Sequence, residues 1–433
     1  MRDKKKTGAV SRAAFVSVVL LTVLAVISIF SGIRNGYRYS QDFQYDAARA
    51  LMKGVDPYEM SELCREEPPG DGWYEGIRKA GLEPFYEYYE SIDAPQRMEA
   101  NQFPSLLYLL EPVAALPFNV ARICWLILNL LFTAAIIFIL GKTFLRETEP
   151  WEFALLSALM IAGTPWRNQL GVGQHTLFSF AFFLLAVWLS DLAGIVLVSG
   201  GDRYASADTR KLKALAGLAL AVSYFKYTLT APLALYFVYK RRWKELVISV
   251  IPHIVGTLAA AFVLGEPVTA MVIKPLKVSM ALSGEGSLDV GAFLGGGRAA
   301  VAASLALMLI MVLMAFIFPR GRDRVFFSIV LLLSLIFTYH RTYDFFVLVA
   351  VYGGIGEIKQ TCEGRVGRAI GLFYGFLLMI IFFGLRLFHE SPASVTAAAA
   401  IYYVFTLVFI ILGMNGVAMN HKSDITGDKT PFN

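Results

Sequence analysis

Asp42 and Asp46 stand four residues apart in Asp42-Phe43-Gln44-Tyr45-Asp46-Ala47-Ala48, just past a long apolar run. On a helix that spacing puts both carboxylates on one side. A partly desolvated carboxylate near a membrane surface is a natural general base for taking a proton from a hydroxyl. The plainer alternative is a helix cap plus a solvated charge, and it fits Asp46 better than Asp42. A second polar turn, Gly171-Val172-Gly173-Gln174-His175, follows Pro165-Trp166-Arg167-Asn168. Its glycines let backbone approach a ligand, although a simple loop reads the same way.

Lys226 lies in Val222-Ser223-Tyr224-Phe225-Lys226-Tyr227, between two apolar segments. An ionisable group there is by default a functional candidate, with a lipid-linked phosphate as its natural partner. The competing reading is a lysine that snorkels to the interface. In Thr338-Tyr339-His340-Arg341-Thr342-Tyr343-Asp344, histidine, arginine and aspartate can bind a phosphate or orient sugar hydroxyls. They can equally pair with one another. The last candidate is Ser283-Gly284-Glu285-Gly286-Ser287-Leu288-Asp289, either a mobile loop over a site or an ordinary linker. His253, after Pro252 in a long apolar segment, reads as a packing or hydrogen-bonded histidine.

The elements that position these groups are membrane helices. Of the 433 residues 57% are hydrophobic and 17% charged, with mean hydropathy +0.58. Soluble domains carry roughly 25% charged residues. Apolar length predicts about twelve spans, near 13–33, 120–141, 152–167, 175–198, 213–225, 227–239, 245–265, 299–318, 325–339, 343–356, 368–386 and 394–414. The first is long and lacks a small-residue cleavage site, so it is read as a retained span.

Five basic loops, at 142–146, 210–213, 240–244, 320–324 and 359–368, fall on the same side as Lys4-Lys5-Lys6. That bias places both termini in the cytoplasm and all five polar features outside it. The net charge of +6 thus reflects topology rather than nucleic-acid binding. On this topology Cys64, Cys124 and Cys362 lie outside, within and inside the membrane, which leaves no disulfide pair. The expected organisation is a cytoplasmic N-terminus (1–12), a transmembrane domain (13–415) and a cytoplasmic, poorly ordered tail (416–433). Two extracytoplasmic loops are long, 34–119 and 265–298. The first is rich in Tyr, Phe and Trp. It holds a short helix over 43–53 and an interfacial piece over 103–118, interrupted at Glu111-Pro112.

In this order the segments resemble glycosyltransferase family 87. The matching pieces are Asp42-Phe43, Tyr45, Ala47-Ala48, Gly54 and Asp56-Pro57-Tyr58, then Phe103-Pro104, Pro112 and Leu116-Pro117. Gly173-Gln174, Lys226 with Arg241-Arg242-Trp243, and the His340–Asp344 turn follow. The resemblance implies an all-α GT-C bundle of about twelve helices, with interfacial helices in the first outer loop. It implies transfer of a hexose, mannose first, from a polyprenyl phosphate to a lipid or glycan acceptor hydroxyl, with inversion. The expected setting is the outer face of the plasma (cell inner) membrane.

On that resemblance Asp42 matches the catalytic aspartate. Lys226, His340, Arg341, Asp344, Gln174 and His175 are the candidates for holding donor phosphate and sugar, with Asp46, Tyr45 and Asp289 secondary. No metal or cofactor is called for, the lipid-linked sugar being substrate, and no nucleic acid. The competing class is a twelve-span lipid or sugar transporter. It accounts for an intramembrane lysine but not for a large aromatic outer loop. A non-catalytic scaffold predicts that Asp42→Asn is silent.

Overall fold

The computed structural model describes residues 12–66, 69–199, 203–281, 288–295, 297–337, 339–362, 364–387 and 391–425. Ser283–Ser287, Thr338, nearly all of the predicted N-terminal tail and the last eight residues lie outside that set. The described chain is helical, with no strand. It is a polytopic α-helical membrane protein.

Among the described residues, eight segments are long and apolar enough to cross a membrane: Phe15–Arg38, Phe118–Lys142, Thr176–Val196, Ala207–Leu233, Trp243–Leu264, Gly297–Ile317, Gly364–Leu387 and Pro392–Met414. The predicted twelve is therefore too many on length. The runs read as spans near 152–167, 325–339 and 343–356 are the helices Pro150–Ala162, Asp323–Phe337 and Thr342–Val351. Each is short. Every residue of Thr342–Val351 is buried, as is nearly all of Asp323–Phe337. Protein rather than lipid surrounds them, which is the condition under which short apolar segments persist at membrane depth. The long helices carry exposed Phe30, Phe262, Leu305 and Leu372 on their outer faces.

The segment Ala207–Leu233 folds back on itself at Tyr224–Lys226. Thr230 Oγ1 donates to the Ser223 carbonyl at 2.7 Å. A straight helix would separate residues seven apart by about 10 Å. Beyond the turn the chain returns, and Arg242 pairs with Asp191 at 2.5 Å. Lys226 has the non-helical φ −113, ψ 66 of the bend. The hairpin read from sequence is present, compressed into fewer residues than two spans require.

The bundle has two chemically different ends. At one, Lys240 pairs with Asp323, Arg324 lies 2.7 Å from Glu147, and Arg322 and Arg324 lie 3.5 and 3.6 Å from Glu357. Loops at 147, 240–242, 320–324 and 357 thus converge there. At the other end sit Asp42, Gln174, Lys226 and Arg341. The last helix, Pro392–Ile425, runs past residue 416, where a poorly ordered tail was expected. No proline stops it, and helix propagation adds a bond for each residue fixed.

The first long loop folds as five short helices, Tyr45–Met52, Pro57–Leu63, Asp71–Ala80, Glu83–Ser91 and Pro104–Ala114. Its core is aromatic. Phe85 lies 5.7 Å from Tyr45, 5.0 Å from Tyr89 and 4.9 Å from Phe118, ring centre to ring centre. Burying each such ring contributes about 1.5–3 kcal/mol. Asp56 caps Pro57–Leu63 through the Tyr58 and Glu59 amides and pairs with Lys274 at 2.5 Å, tying this loop to the helix Val268–Ala281. Glu111-Pro112 does not interrupt Pro104–Ala114. Pro112 lies near the helix end, where its missing N–H removes a single bond.

Candidate functional site

The site is built where the first helix ends. Arg12–Arg38 packs closely on the short helix Thr164–Val172, and a Cβ at Gly36 would meet the Leu170 carbonyl at 2.8 Å. The chain then turns. The Ser40 amide donates to the Gly171 carbonyl at 3.2 Å and the Asp42 amide to that of Val172 at 2.9 Å. The two segments singled out in the sequence are therefore joined through their backbones. Gly173 has φ +73, a left-handed conformation that glycine adopts without strain, and its carbonyl accepts from Trp125 Nε1 at 2.7 Å.

Asp42 and Asp46 do not share a helix side. Gln44 is left-handed, with φ 59, and the helix begins only at Tyr45. Asp42 lies in the turn before it, half-buried, with Gln174 as its hydrogen-bonding neighbour. Burial pushes its pKa up to about 6, and Glu99 adds to this. Arg341, Lys226 and the Gln174 bond oppose the rise without cancelling it. The carboxylate is thus half-exposed yet strongly desolvated.

Asp46 is buried in the first turn. One oxygen accepts from the Ala47 amide at 2.8 Å, the other from Tyr86 Oη at 3.1 Å. Burial pushes its pKa up to about 6 as well. Tyr45 is part of the aromatic core, its hydroxyl donating to the Leu116 carbonyl at 2.9 Å.

Asp344 gathers the remaining polar groups. It is fully buried, 3.5 Å from Lys226 Nζ and 2.9 Å from His340 Nδ1, and it accepts from Thr176 Oγ1. Tyr343 accepts from Gln174 Nε2 at 3.2 Å and lies 5.7 Å under Lys226 Nζ. Lys226, expected to meet a ligand anion alone, thus already has an internal one. Placing a lysine at membrane depth beside a buried carboxylate lowers the cost of both charges.

Arg341 differs. It is exposed, its Nε bonds Tyr339 Oη, and it makes no ion pair among the described residues. His175 is 1% exposed, between Trp125 and Phe225, and forms wall rather than surface.

Two members escaped the sequence reading. Thr176 follows His175 directly, yet nothing in the sequence links it to Asp344. Glu99 lies in an irregular stretch held by Gln44 Nε2, which donates to its carbonyl at 2.9 Å. Its own charge is the second influence on Asp42. Asp289 is held elsewhere, capping Val290–Phe293 through the Ala292 amide at 3.1 Å. His253 bonds Ser105 Oγ at 2.7 Å and the Ala221 carbonyl at 3.1 Å, as expected of a hydrogen-bonded core histidine.

Beside the bend lies an apolar cavity of about 480 Å³, lined by Phe103, Tyr224, Tyr227, His253 and Val272. The ensemble offers a carboxylate that titrates near neutrality, one unpaired cation, one paired cation and an adjoining apolar recess.

A dolichyl-phosphooligosaccharide-protein glycotransferase 2 of Archaeoglobus fulgidus is 23% identical over 189 residues, 43% of this chain and 29% of that protein. The chain thus spans less than a third of that relative. No solved structure matches significantly. The family model for glycosyltransferase family 87 matches residues 104–339, a stretch that includes Gln174, His175 and Lys226 and leaves Asp42 and Asp344 outside. With more than half of its length matched, the chain belongs to glycosyltransferase family 87.

Proposed function

We propose that this membrane glycosyltransferase moves a hexose, mannose first, from a polyprenyl phosphate to an acceptor hydroxyl, with inversion and with Asp42 as general base. The observation that carries the reading is the Asp42 carboxylate itself. It is half-exposed, its pKa is raised to about 6, and it lies within the electrostatic reach of Arg341 and Lys226. A base of that strength is ionised at neutral pH and still takes a proton efficiently.

In the step, the acceptor oxygen gives its proton to Asp42 and bonds to the anomeric carbon. The bond from that carbon to the phosphate oxygen breaks, and the electron pair leaves with the polyprenyl phosphate. Arg341, exposed and unpaired, offsets the growing negative charge. Lys226 acts beside it, oriented by Asp344 and, through Asp344, by His340. Tyr224 and Tyr227 flank Lys226 and line the apolar cavity, which suits the first isoprene units of the donor. The sidedness of the charged loops supports an active site facing away from the cytoplasm at the cell membrane.

The test uses purified full-length protein, polyprenyl-phosphate mannose labelled in the sugar, and acceptor lipids. Label should pass to acceptor with the unmodified protein and not with Asp42→Asn, while both bind the bare carrier lipid. Transfer at an undiminished rate by Asp42→Asn would remove Asp42 from the mechanism.

A further inference from the structure

Arg167 and Arg386 form a second polar feature, separate from the Asp42 site. Arg167 lies on the short helix Thr164–Val172, and Arg386 on the penultimate position of the apolar segment Gly364–Leu387. The two segments touch where a Cβ at Gly163 would meet Phe382 Cδ2 at 2.7 Å. Each arginine stands four residues further along its own segment. Gly364–Leu387 starts from the basic end of the bundle, and Thr164–Val172 continues from Pro150–Ala162, which also starts there, so both run away from that end. The backbone of each arginine is therefore carried about 6 Å past the contact, away from the basic end.

Neither arginine has a carboxylate partner among the described residues. Burial is the main cost to the Arg167 charge, and the one side-chain charge that bears on it, Arg386, repels it and adds to that cost. Arg167 is half-buried and Arg386 exposed, next to Leu387, which is 74% exposed. A single arginine at such a boundary reaches toward water and needs no partner. Here two are brought together by rigid packing against a glycine. The residues just before Arg386, Ile380–Gly384, form a π-helical turn, a geometry rarely kept without a local use. Two like charges held together at a lipid boundary become favourable when an anion lies between them. Guanidinium forks match phosphate oxygens in pairs.

We propose that Arg167 and Arg386 together bind the phosphate of an anionic lipid headgroup in the leaflet at the Asp42 end. The flanking apolar surface suits a ligand that brings its own acyl chains, which a free phosphate lacks. The site is independent of the transfer chemistry and does not require that Asp42 be a base.

Native mass spectrometry of the full-length protein, titrated with phosphatidylglycerol or phosphatidylcholine, tests it. The unmodified protein should bind one phosphatidylglycerol in preference to phosphatidylcholine. Arg167→Gln with Arg386→Gln should weaken the phosphatidylglycerol step about tenfold or more and leave phosphatidylcholine unchanged. Arg167→Lys with Arg386→Lys should keep part of the preference, since charge is retained and the fork is lost. If the double glutamine variant does not fold, Arg386→Gln alone, at an exposed position, should still reduce it.

Unaltered phosphatidylglycerol binding in the folded variants would overturn the site. A second arm adds excess inorganic phosphate. Failure to displace the lipid fits the proposal. Displacement by phosphate that the double variant does not show would make the ligand a soluble anion and overturn the lipid assignment.

Discussion

The two ends of the bundle treat charge in opposite ways. At the basic end cations are answered by carboxylates: Lys240 by Asp323, Arg242 by Asp191, Arg324 by Glu147 and Glu357. At the other end, apart from the Asp56–Lys274 pair that ties down the outer loop, two charges have no ion pair among the described residues. Asp42 is desolvated without an ion pair, and Arg341 is exposed without one. Lys226 and Asp344 pair there too, but deep inside, where they set geometry for their neighbours. Paired surface charges are structural and cheap. Unpaired ones cost stability and remain available to something that arrives. The contrast separates scaffold from site without reference to any relative.

The sharpest way to break the contrast is Asp42→Asn. Loss of a general base costs about 10²–10⁴ in rate, so transfer should nearly vanish while carrier-lipid binding persists. In the unmodified protein kcat/KM should fall as pH drops through about 6, because the base must be ionised. An acid limb well below that, in a pH–rate series, would point to a different group.

Next in size is Asp344→Ala. It leaves Lys226 beside an empty, fully enclosed position and strips His340 of its partner. Removing one member of a buried pair costs about 3–5 kcal/mol. A thermal midpoint equal to that of the unmodified protein would mean the lysine finds water or another anion. Asp323→Asn, at the basic end, is the counterpart. It should cost at most about 1 kcal/mol and leave transfer rates untouched. A large rate effect there would erase the distinction between the ends.

The smallest effect has the more telling sign. Asp42 holds its proton more tightly folded than unfolded, since its pKa is about 6 against an ordinary 3.8. The ionised carboxylate therefore works against folding, in full above about pH 6 and not at all below about 4. Asp42→Asn should raise the thermal midpoint slightly at neutral pH, with the gain fading in acid. Removing a site charge would thus stabilise, as removing a scaffold charge would not.

Much of this was legible in the sequence, for identifiable reasons. Basic loops and apolar runs gave the two ends, because charge asymmetry and span length act locally. Lys226 at a bend was readable from the basic segments on either side. The partner of that lysine was not. Asp344 lies more than a hundred residues away, and its adjacent arginine looked equally able to answer a phosphate. Asp42 was singled out, but in the wrong local geometry, since a left-handed Gln44 delays the helix and side-chain type alone does not foretell that. Glu99 lies in an irregular strip fixed by long-range bonds with Gln44, Ser61 and Tyr58, and no periodicity marks it. The excess of predicted spans came from counting short apolar runs, two of them buried in protein, and both arms of the Lys226 hairpin as full spans.

Thr342–Val351 is a ten-residue 3₁₀ helix, followed at once by the α-helix Tyr352–Thr361. A 3₁₀ helix rises about 2.0 Å per residue against 1.5 Å for an α-helix. Ten residues so wound reach about 5 Å further than the same ten in an α-helix. The segment therefore behaves as a strut whose length comes from pitch rather than residue count. Together with the helix Tyr352–Thr361 it carries Asp344 near one tip and Glu357 near the other, each in contact with cations of its own end. The two ends, opposite in how they treat charge, are fastened to a single rod. One inserted residue would shift one anchorage relative to the other.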